Sequence, residues 1–247
     1  MKALVKLVLV QGKLYFREPV ALFFTIAFAP MMLVLFGSIY GNDPVPMFGN
    51  RGTIDVAVPA YIGLIVISVG LMGIPIATAS NREFGVLRRF RVTPLPPWLY
   101  LVSDVLVYFL ITLLGVILLI LVGKVGYDVQ FDGNLASVFA GFSLSALAIF
   151  TCGYLIAGLA PTARIAQAVG MVIAFPMMFL SGATMPLETL PESIRKVSNF
   201  LPLTHVVTLM RGLWMGDSWG DHLTEVAVLA GVLAVGFLLS AKTFRWE

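Results

Sequence analysis

The sequence predicts an all-α membrane protein with six transmembrane helices. An N-terminal interfacial amphipathic helix precedes the first span, a short cytoplasmic helix joins the second to the third, and short outer re-entrant helices lie between spans five and six. Three observations lead there. Of 247 residues, 59% are hydrophobic and 12% are charged, with a mean hydropathy of +0.96. Soluble domains carry about 25% charged residues, and half that share leaves too little polar surface to face water. The charges also cluster between apolar stretches, each near the roughly 20 residues that cross a bilayer core. Finally, the Lys and Arg residues concentrate in alternate loops, as the positive-inside rule requires.

Residues 1–18 are no span. Lys2, Lys6, Lys13 and Arg17 fall within about 60° of one another on a helical wheel. The rest is mostly Leu, Val, Tyr and Phe, the pattern of a helix lying in the interface with its basic stripe outward. Lys6 interrupts any signal-peptide core, and no small-residue cleavage site follows. The first span covers 20–40, opened by Pro19, whose missing N–H is harmless at a helix start. A polar Pro/Gly-rich stretch, Asn42 to Asp55, leads to the second span at 58–80, interrupted by Pro75. The most basic segment, 81–97, comes next, with Arg82, Arg88, Arg89 and Arg91 against Glu83. The third span is 98–122 and the fourth 135–160, separated by a short loop with Asp128 and Asp132. The fifth is 165–185, where Pro176 removes a backbone hydrogen bond and is expected to bend the helix. Residues 187–214 are half-apolar and broken by Pro191 and Pro202, which points to two ordered short helices split near Pro202. The sixth span is 223–241. The whole chain, 1–247, forms a single transmembrane domain.

With the N-terminus cytoplasmic, the inside segments hold Lys2, Lys6, Lys13, Arg17, Arg82, Arg88, Arg89, Arg91, Arg164, Lys242 and Arg245. The outside segments hold Arg51, Lys124, Arg195, Lys196 and Arg211. Eleven against five is a positive-inside bias. Six spans then leave both termini cytoplasmic. The net charge of +3 therefore reads as loops held at an anionic membrane face, and no nucleic-acid partner is expected.

Catalytic chemistry has little to stand on. His205 and His222 are the two histidines, and they lie outside the spans with no paired ligand at metal spacing. No Gly-x-Ser-x-Gly elbow and no Gly-x-x-x-x-Gly-Lys-Ser/Thr phosphate loop occurs. Neither catalytic nor metal residues are expected, nor a cofactor in this chain. Cys152 is the one cysteine, which excludes an intrachain disulfide and reads as an inert thiol. Asp104 is the one acid placed inside a span, and its position near the cytoplasmic end lets it face headgroup water. Taken as a helix, Arg82 to Val92 puts Glu83, Val86, Leu87 and Phe90 on one face and arginines elsewhere. Such a helix docks in a groove of a soluble partner or lies on anionic lipid; the residues alone leave both open.

The run Arg82-Glu83-Phe84-Gly85-Val86-Leu87-Arg88-Arg89-Phe90-Arg91-Val92-Thr93-Pro94-Leu95 resembles the cytoplasmic signature of type-2 ABC transporter permeases. The segment Phe179-Leu180-Ser181-Gly182-Ala183-Thr184-Met185-Pro186, then Leu190-Pro191, Leu201-Pro202-Leu203-Thr204-His205 and Arg211-Gly212, resembles that family's fifth-span and outer-loop pattern. Length and signature are similar to the drug-exporter branch typified by daunorubicin resistance permeases. Arg88 stands where members often have Glu, and His205 where an aromatic is common.

The resemblance implies two paired permease subunits, identical or similar, docked on two cytoplasmic ABC ATPase subunits that hold ATP and Mg. It makes Arg82, Glu83, Val86, Leu87, Arg88, Arg89, Phe90 and Arg91 the coupling residues, on a cytoplasmic coupling helix. The second and fifth spans would line the subunit interface. Met171, Phe175, Pro176, Met178 and Phe179 are the pathway-lining candidates, because Met and Phe make an adaptable apolar wall. Pro202, Leu203, Thr204, His205 and Arg211 are the outer-gate candidates. The expected function is an ABC exporter permease subunit in the cell (inner) membrane, moving a hydrophobic or amphipathic drug, antibiotic or lipid out of the cytoplasm or inner leaflet. The alternatives are export of lipid-linked polysaccharide, whose channel would need more polar and aromatic lining, and a structural or sensory membrane subunit that transports nothing.

Overall fold

The structure, a computed structural model, describes residues 2–87, 97–184, 187 and 190–243. After α1, Lys2–Tyr15, come the first two spans, α2, Pro19–Tyr40, and α3, Thr53–Glu83. Next come α4, Pro97–Tyr127; α5, Leu135–Leu159; and α6, Ala163–Leu180. Two shorter helices, α7, Glu192–Ser198, and α8, Pro202–Met215, precede the sixth span, α9, Leu223–Thr243. Among the described residues six helices are long and apolar enough to cross a membrane, so the chain is an all-α, multi-pass membrane protein. One small hairpin, β1 (Pro44–Val45) antiparallel to β2 (Arg51–Gly52), sits between α2 and α3.

Local chemistry sets the helix ends. The Asn134 side chain accepts from the backbone N–H of Ala136 (2.8 Å) and Ser137 (3.3 Å), satisfying donors that a helix start leaves free. Thr162 does the same for Ile165 at the start of α6. α8 opens on Pro202 and closes on Gly216 at φ +95°, a left-handed turn that glycine enters without Cβ strain. α6 runs through Pro176 as one helix.

The second span, α3, is the central post. Its most apolar stretch is 83% buried, against 17–44% for the other five. Its middle widens into a π-helical turn at Ser68–Gly73, one residue before the Ile74-Pro75 pair. Glycines of neighbouring spans fit against that turn. A Cβ on Gly153 of α5 would stand 1.9 Å from the Gly70 carbonyl oxygen, and one on Gly170 of α6 would stand 2.2 Å from that of Leu71. Pro75 has no N–H to give back to Leu71, so a close Cα approach covers a carbonyl that the regular α pattern would have paired. Spans one, three, four and five, together with α8, enclose most of it within this chain.

On one face of the bundle, here the loop face, Asp55 is a buried hub. Its Oδ1 accepts from Gln130 N–H (2.9 Å) and Asn42 Nδ2 (3.2 Å), and its Oδ2 from Gly52 N–H (3.1 Å). Asn42 also accepts from the N–H groups of Ile54 and Asp55 and donates to the Tyr127 carbonyl. Trp214 at the end of α8 donates to the Gln130 carbonyl at 2.9 Å. These bonds tie the ends of α2, α3, α4 and α8 together, and an Arg51–Asp132 pair at 2.7 Å flanks them. Nearby, Lys124 hydrogen-bonds Asp128 and holds that carboxyl below the usual carboxylate range.

The half-apolar segment folds as two helices split before Pro202. Leu203, Val206, Leu209, Met210 and Leu213 are buried against the bundle, while Phe200 in the connection is 87% exposed. Asp104 departs from expectation. It is buried, and the Tyr154 hydroxyl donates to its Oδ2 at 2.8 Å. The short face of α4 near its start turns inward against α5, so headgroup water is not its solvent.

Candidate functional site

Two places in the fold carry the polar and aromatic side chains that packing alone does not account for. One is a cavity of about 910 Å³ opening at the loop face between α2, α3, α8 and the segment after α6. Thr53, Met215, Asp217 and His222 surround its mouth. Phe36, Val56, Ala60, Phe179 and Val207 form its walls. Tyr61 and Thr208 line its deep part. Thr53 and Tyr61 are just over two turns apart on α3, roughly 12 Å of rise, so the cavity reaches well into the bundle. Its volume is that of a pocket for a drug-sized ligand, about 300–1,000 Å³. The walls are apolar and polar groups stand at both ends.

At the mouth, His222 Nε2 is 3.1 Å from Asp217 Oδ2, and its Nδ1 is 3.8 Å from Glu225 Oε2. The ring lies on Gly212, where a Cβ would stand 1.9 Å from Nε2. Glycine at that point of α8 is what lets the imidazole close over the helix. Arg211, one residue earlier, faces the cavity.

The other place is the opposite, basic face, where α3 ends. Gly85, at φ +67°, breaks the chain direction after Glu83, with Phe84 N–H bonded to Ser80 O and Gly85 N–H to Arg82 O, both at 3.0 Å. Helical backbone resumes at Val86 and Leu87. The expected single helix from Arg82 to Arg91 is therefore divided at Gly85. Arg82 and Glu83 close the second span, and the helical backbone at Val86 and Leu87 is a separate piece. The reason is the glycine, whose left-handed conformation no continuous α-helix tolerates. Arg88, Arg89, Phe90 and Arg91 lie outside the described residues.

Arg82 turns inward. Its guanidinium donates to the carbonyls of Ala157, at 2.9 Å, and Ala160. Those are among the last carbonyls of α5, which have no partner within their own helix and carry its negative dipole end. Asn81 donates to the Tyr100 hydroxyl at 3.2 Å, tying the same corner to α4. Leu87 has no exposed surface, so the chain itself covers it, and it does not present an apolar face outward. Val86 is half-buried, Glu83 is exposed, and Phe84 is 76% exposed.

The pathway and gate candidates divide. Phe179 and Arg211 share the loop-face cavity. Phe175 and Pro176 are exposed on the outside of α6, Met171 is partly covered, and Met178 is buried in the core. Pro202 opens α8, while Leu203, Thr204 and His205 are buried beneath the cavity, with His205 Nε2 2.9 Å from the Asn199 carbonyl. Sequence reasoning does not place Tyr61, Thr208 or His222 at a site. Nothing in their local sequence marks them, because the cavity exists only once α2, α3 and α8 meet.

The family model described as ABC-2 family transporter protein matches residues 40–242. The chain belongs to that family. Among curated relatives it is 30% identical to nodulation protein J of Rhizobium leguminosarum bv. viciae over 103 residues, 42% of this chain and 40% of that protein. It is 24% identical to the probable multidrug ABC transporter permease YbhR of Escherichia coli over 162 residues, 65% of this chain and 44% of the relative. The chain thus spans less than half the length of those two relatives. Ycf38 of Cyanophora paradoxa, which carries a transport-permease name, is 29% identical over 98% of this chain and 88% of its own length. The ABC-2 match begins at the last residue of α2 and takes in both the Arg82 corner and the cavity residues from Thr53 onward.

Proposed function

We propose that this chain is the permease subunit of an ATP-driven exporter, with ATP hydrolysed on a separate cytoplasmic ATPase that docks at the basic face. The observation that carries it is the loop-face cavity in an ABC-2 family bundle: a drug-sized, apolar-walled chamber reaching from one face into the membrane-spanning helices. The basic face is the cytoplasmic one in this reading, both termini are cytoplasmic, and the cavity opens to the outside of the cell (inner) membrane. Two permease subunits, identical or similar, and two ATPases complete the transporter. The cargo is a hydrophobic or amphipathic compound rather than a bare saccharide, since the walls offer Phe, Val and Ala in place of a polar lining.

Docking at the basic face rests on Phe84 and Glu83, which the fold leaves outside, together with the helix that resumes at Val86. Arg82 then acts from behind, fixing α3 to the end of α5 so that a push on the cytoplasmic segment moves both spans. The test is reconstitution of the chain with the ATPase that co-purifies with it, in proteoliposomes loaded with a lipophilic fluorescent dye. ATP-dependent movement of the dye, lost when the ATPase is inactivated, is expected. Dye movement indifferent to ATP overturns the reading.

A further inference from the structure

We infer that Tyr61 and Thr208 form a hydrogen-bonding subsite at the deep part of the loop-face cavity, selecting amphiphiles that carry a hydroxyl or carbonyl on an otherwise apolar body. The inference rests on the export reading for its purpose but not for its chemistry. Tyr61 is 4% exposed and lines the cavity. Among the described residues its hydroxyl meets no hydrogen-bond partner, and it is not one of the enclosed polar atoms, so it opens on the cavity that the residue lines. Three of the other four buried tyrosines are paired: Tyr15 with Thr25, Tyr100 with Asn81 and Tyr154 with Asp104. Phenylalanine would fill the same space without placing a polar atom in an apolar-walled chamber. The Tyr61 hydroxyl thus offers a molecule in the cavity a donor and an acceptor that packing does not use.

Thr208 shares that chamber from the facing helix. Packing fixes the relation of the two helices, since a Cβ on Gly63, two residues beyond Tyr61, would stand 3.0 Å from Val207, the neighbour of Thr208. Tyr and Thr hydroxyls each donate and accept, so the pair suits a neutral hydroxyl or carbonyl and gives no charge to hold an ion. Above it the Phe36, Val56 and Phe179 walls accept an apolar body, and the polar mouth at Asp217 and His222 lies a further two turns outward. A cargo bearing one neutral polar group thus finds it a partner below the mouth, where lipid offers none.

The test uses the full chain in lipid nanodiscs and a matched probe pair, 1-pyrenemethanol and 1-ethylpyrene, which differ by a hydroxyl against a methyl. Energy transfer from the protein's tryptophans, corrected with empty nanodiscs, reads binding. Wild type is expected to bind the alcohol roughly fivefold more tightly than the hydrocarbon, the worth of one net neutral hydrogen bond. Tyr61→Phe should erase most of that preference and leave 1-ethylpyrene binding unchanged. Thr208→Val, which keeps the side-chain shape, should reduce it independently. No preference in wild type, or the same preference in both variants, overturns the subsite. Export is judged apart, in proteoliposomes with the ATPase. Equal ATP-driven movement of both probes sinks the subsite and keeps the export reading; a probe preference with no ATP-driven movement keeps the subsite and sinks export.

Discussion

Leu87 and Phe84 differ in exposure in a way that a continuous helix does not predict. On a continuous helix Leu87 falls on the apolar docking face, whereas the turn at Gly85 folds it into the chain and leaves Phe84 outside. Leu87→Asp is therefore expected to cost folded protein rather than coupling, because it buries an unpaired carboxylate. Thermal unfolding in detergent should show the loss, with little protein left to assay. Phe84→Ala should keep the unfolding temperature and lower ATP-driven transport; normal transport by that variant would place docking elsewhere. Asp55 sits at the other end of the same span, with its three donors at 2.9–3.2 Å. Asp55→Ala leaves two backbone N–H groups and one of the two Asn42 amide N–H bonds without an acceptor, a loss of roughly 2–4 kcal/mol from bonds to a charged group. A shift in unfolding temperature no larger than that of an exposed control such as Asp43→Ala would mean that water replaces the carboxylate.

At the scale of elements, hydropathy locates every span because crossing a bilayer demands length and apolarity, both local properties. The ends are harder. Hydropathy sets the second span at 58–80, yet it runs Thr53–Glu83, since Asp55 and Arg82, polar enough to suggest loops, are satisfied by neighbouring helices. The split at Pro202 is legible from proline alone, but burial of Leu203, Thr204 and His205 is not, as it depends on α8 meeting α3 and α5. What no pattern in one segment discloses is fit between segments, and the glycines show it best. Gly153 and Gly170 lie against carbonyls of the π-helical turn in α3, with no room for a methyl group. Backbone cannot yield as a side chain does, so Gly153→Ala and Gly170→Ala should each cost about 3 kcal/mol, at the upper end of overpacking. Gly126→Ala and Gly231→Ala, which meet nothing within 4 Å, should be neutral or slightly stabilising through helix propensity. Equal unfolding temperatures across all four would show that the spans separate easily at that turn. Such looseness would make the turn a joint instead of a lock.

For the whole molecule the decisive physical quantity is the distribution of charge between the two faces. The fold sorts the loops as the spans require: Asn42, Arg51, Gln130 and Asp132 meet on one face, and Asn81, Arg82, Tyr100 and Ala160 on the other. Export out of the cell depends on which of these faces meets the cytoplasm. The proposed orientation rests on the charge bias of the sequence, with eleven Lys and Arg residues in the segments expected inside and five in those expected outside. Moving the larger group across an energised membrane opposes the potential, at about 2.3 kcal/mol per charge per 100 mV. The bias therefore resists inversion during insertion as well as afterwards. Cys152, the sole cysteine, is half-buried within α5 and can be replaced by serine to give a clean background. In that background Asp43→Cys lies on the loop face and Phe84→Cys on the basic face, both at exposed positions. A membrane-impermeant maleimide should label Asp43→Cys in intact cells and Phe84→Cys only after the membrane is opened. The reverse pattern would turn the cavity mouth toward the cytoplasm, and the same chamber would then collect cargo from inside rather than release it outside.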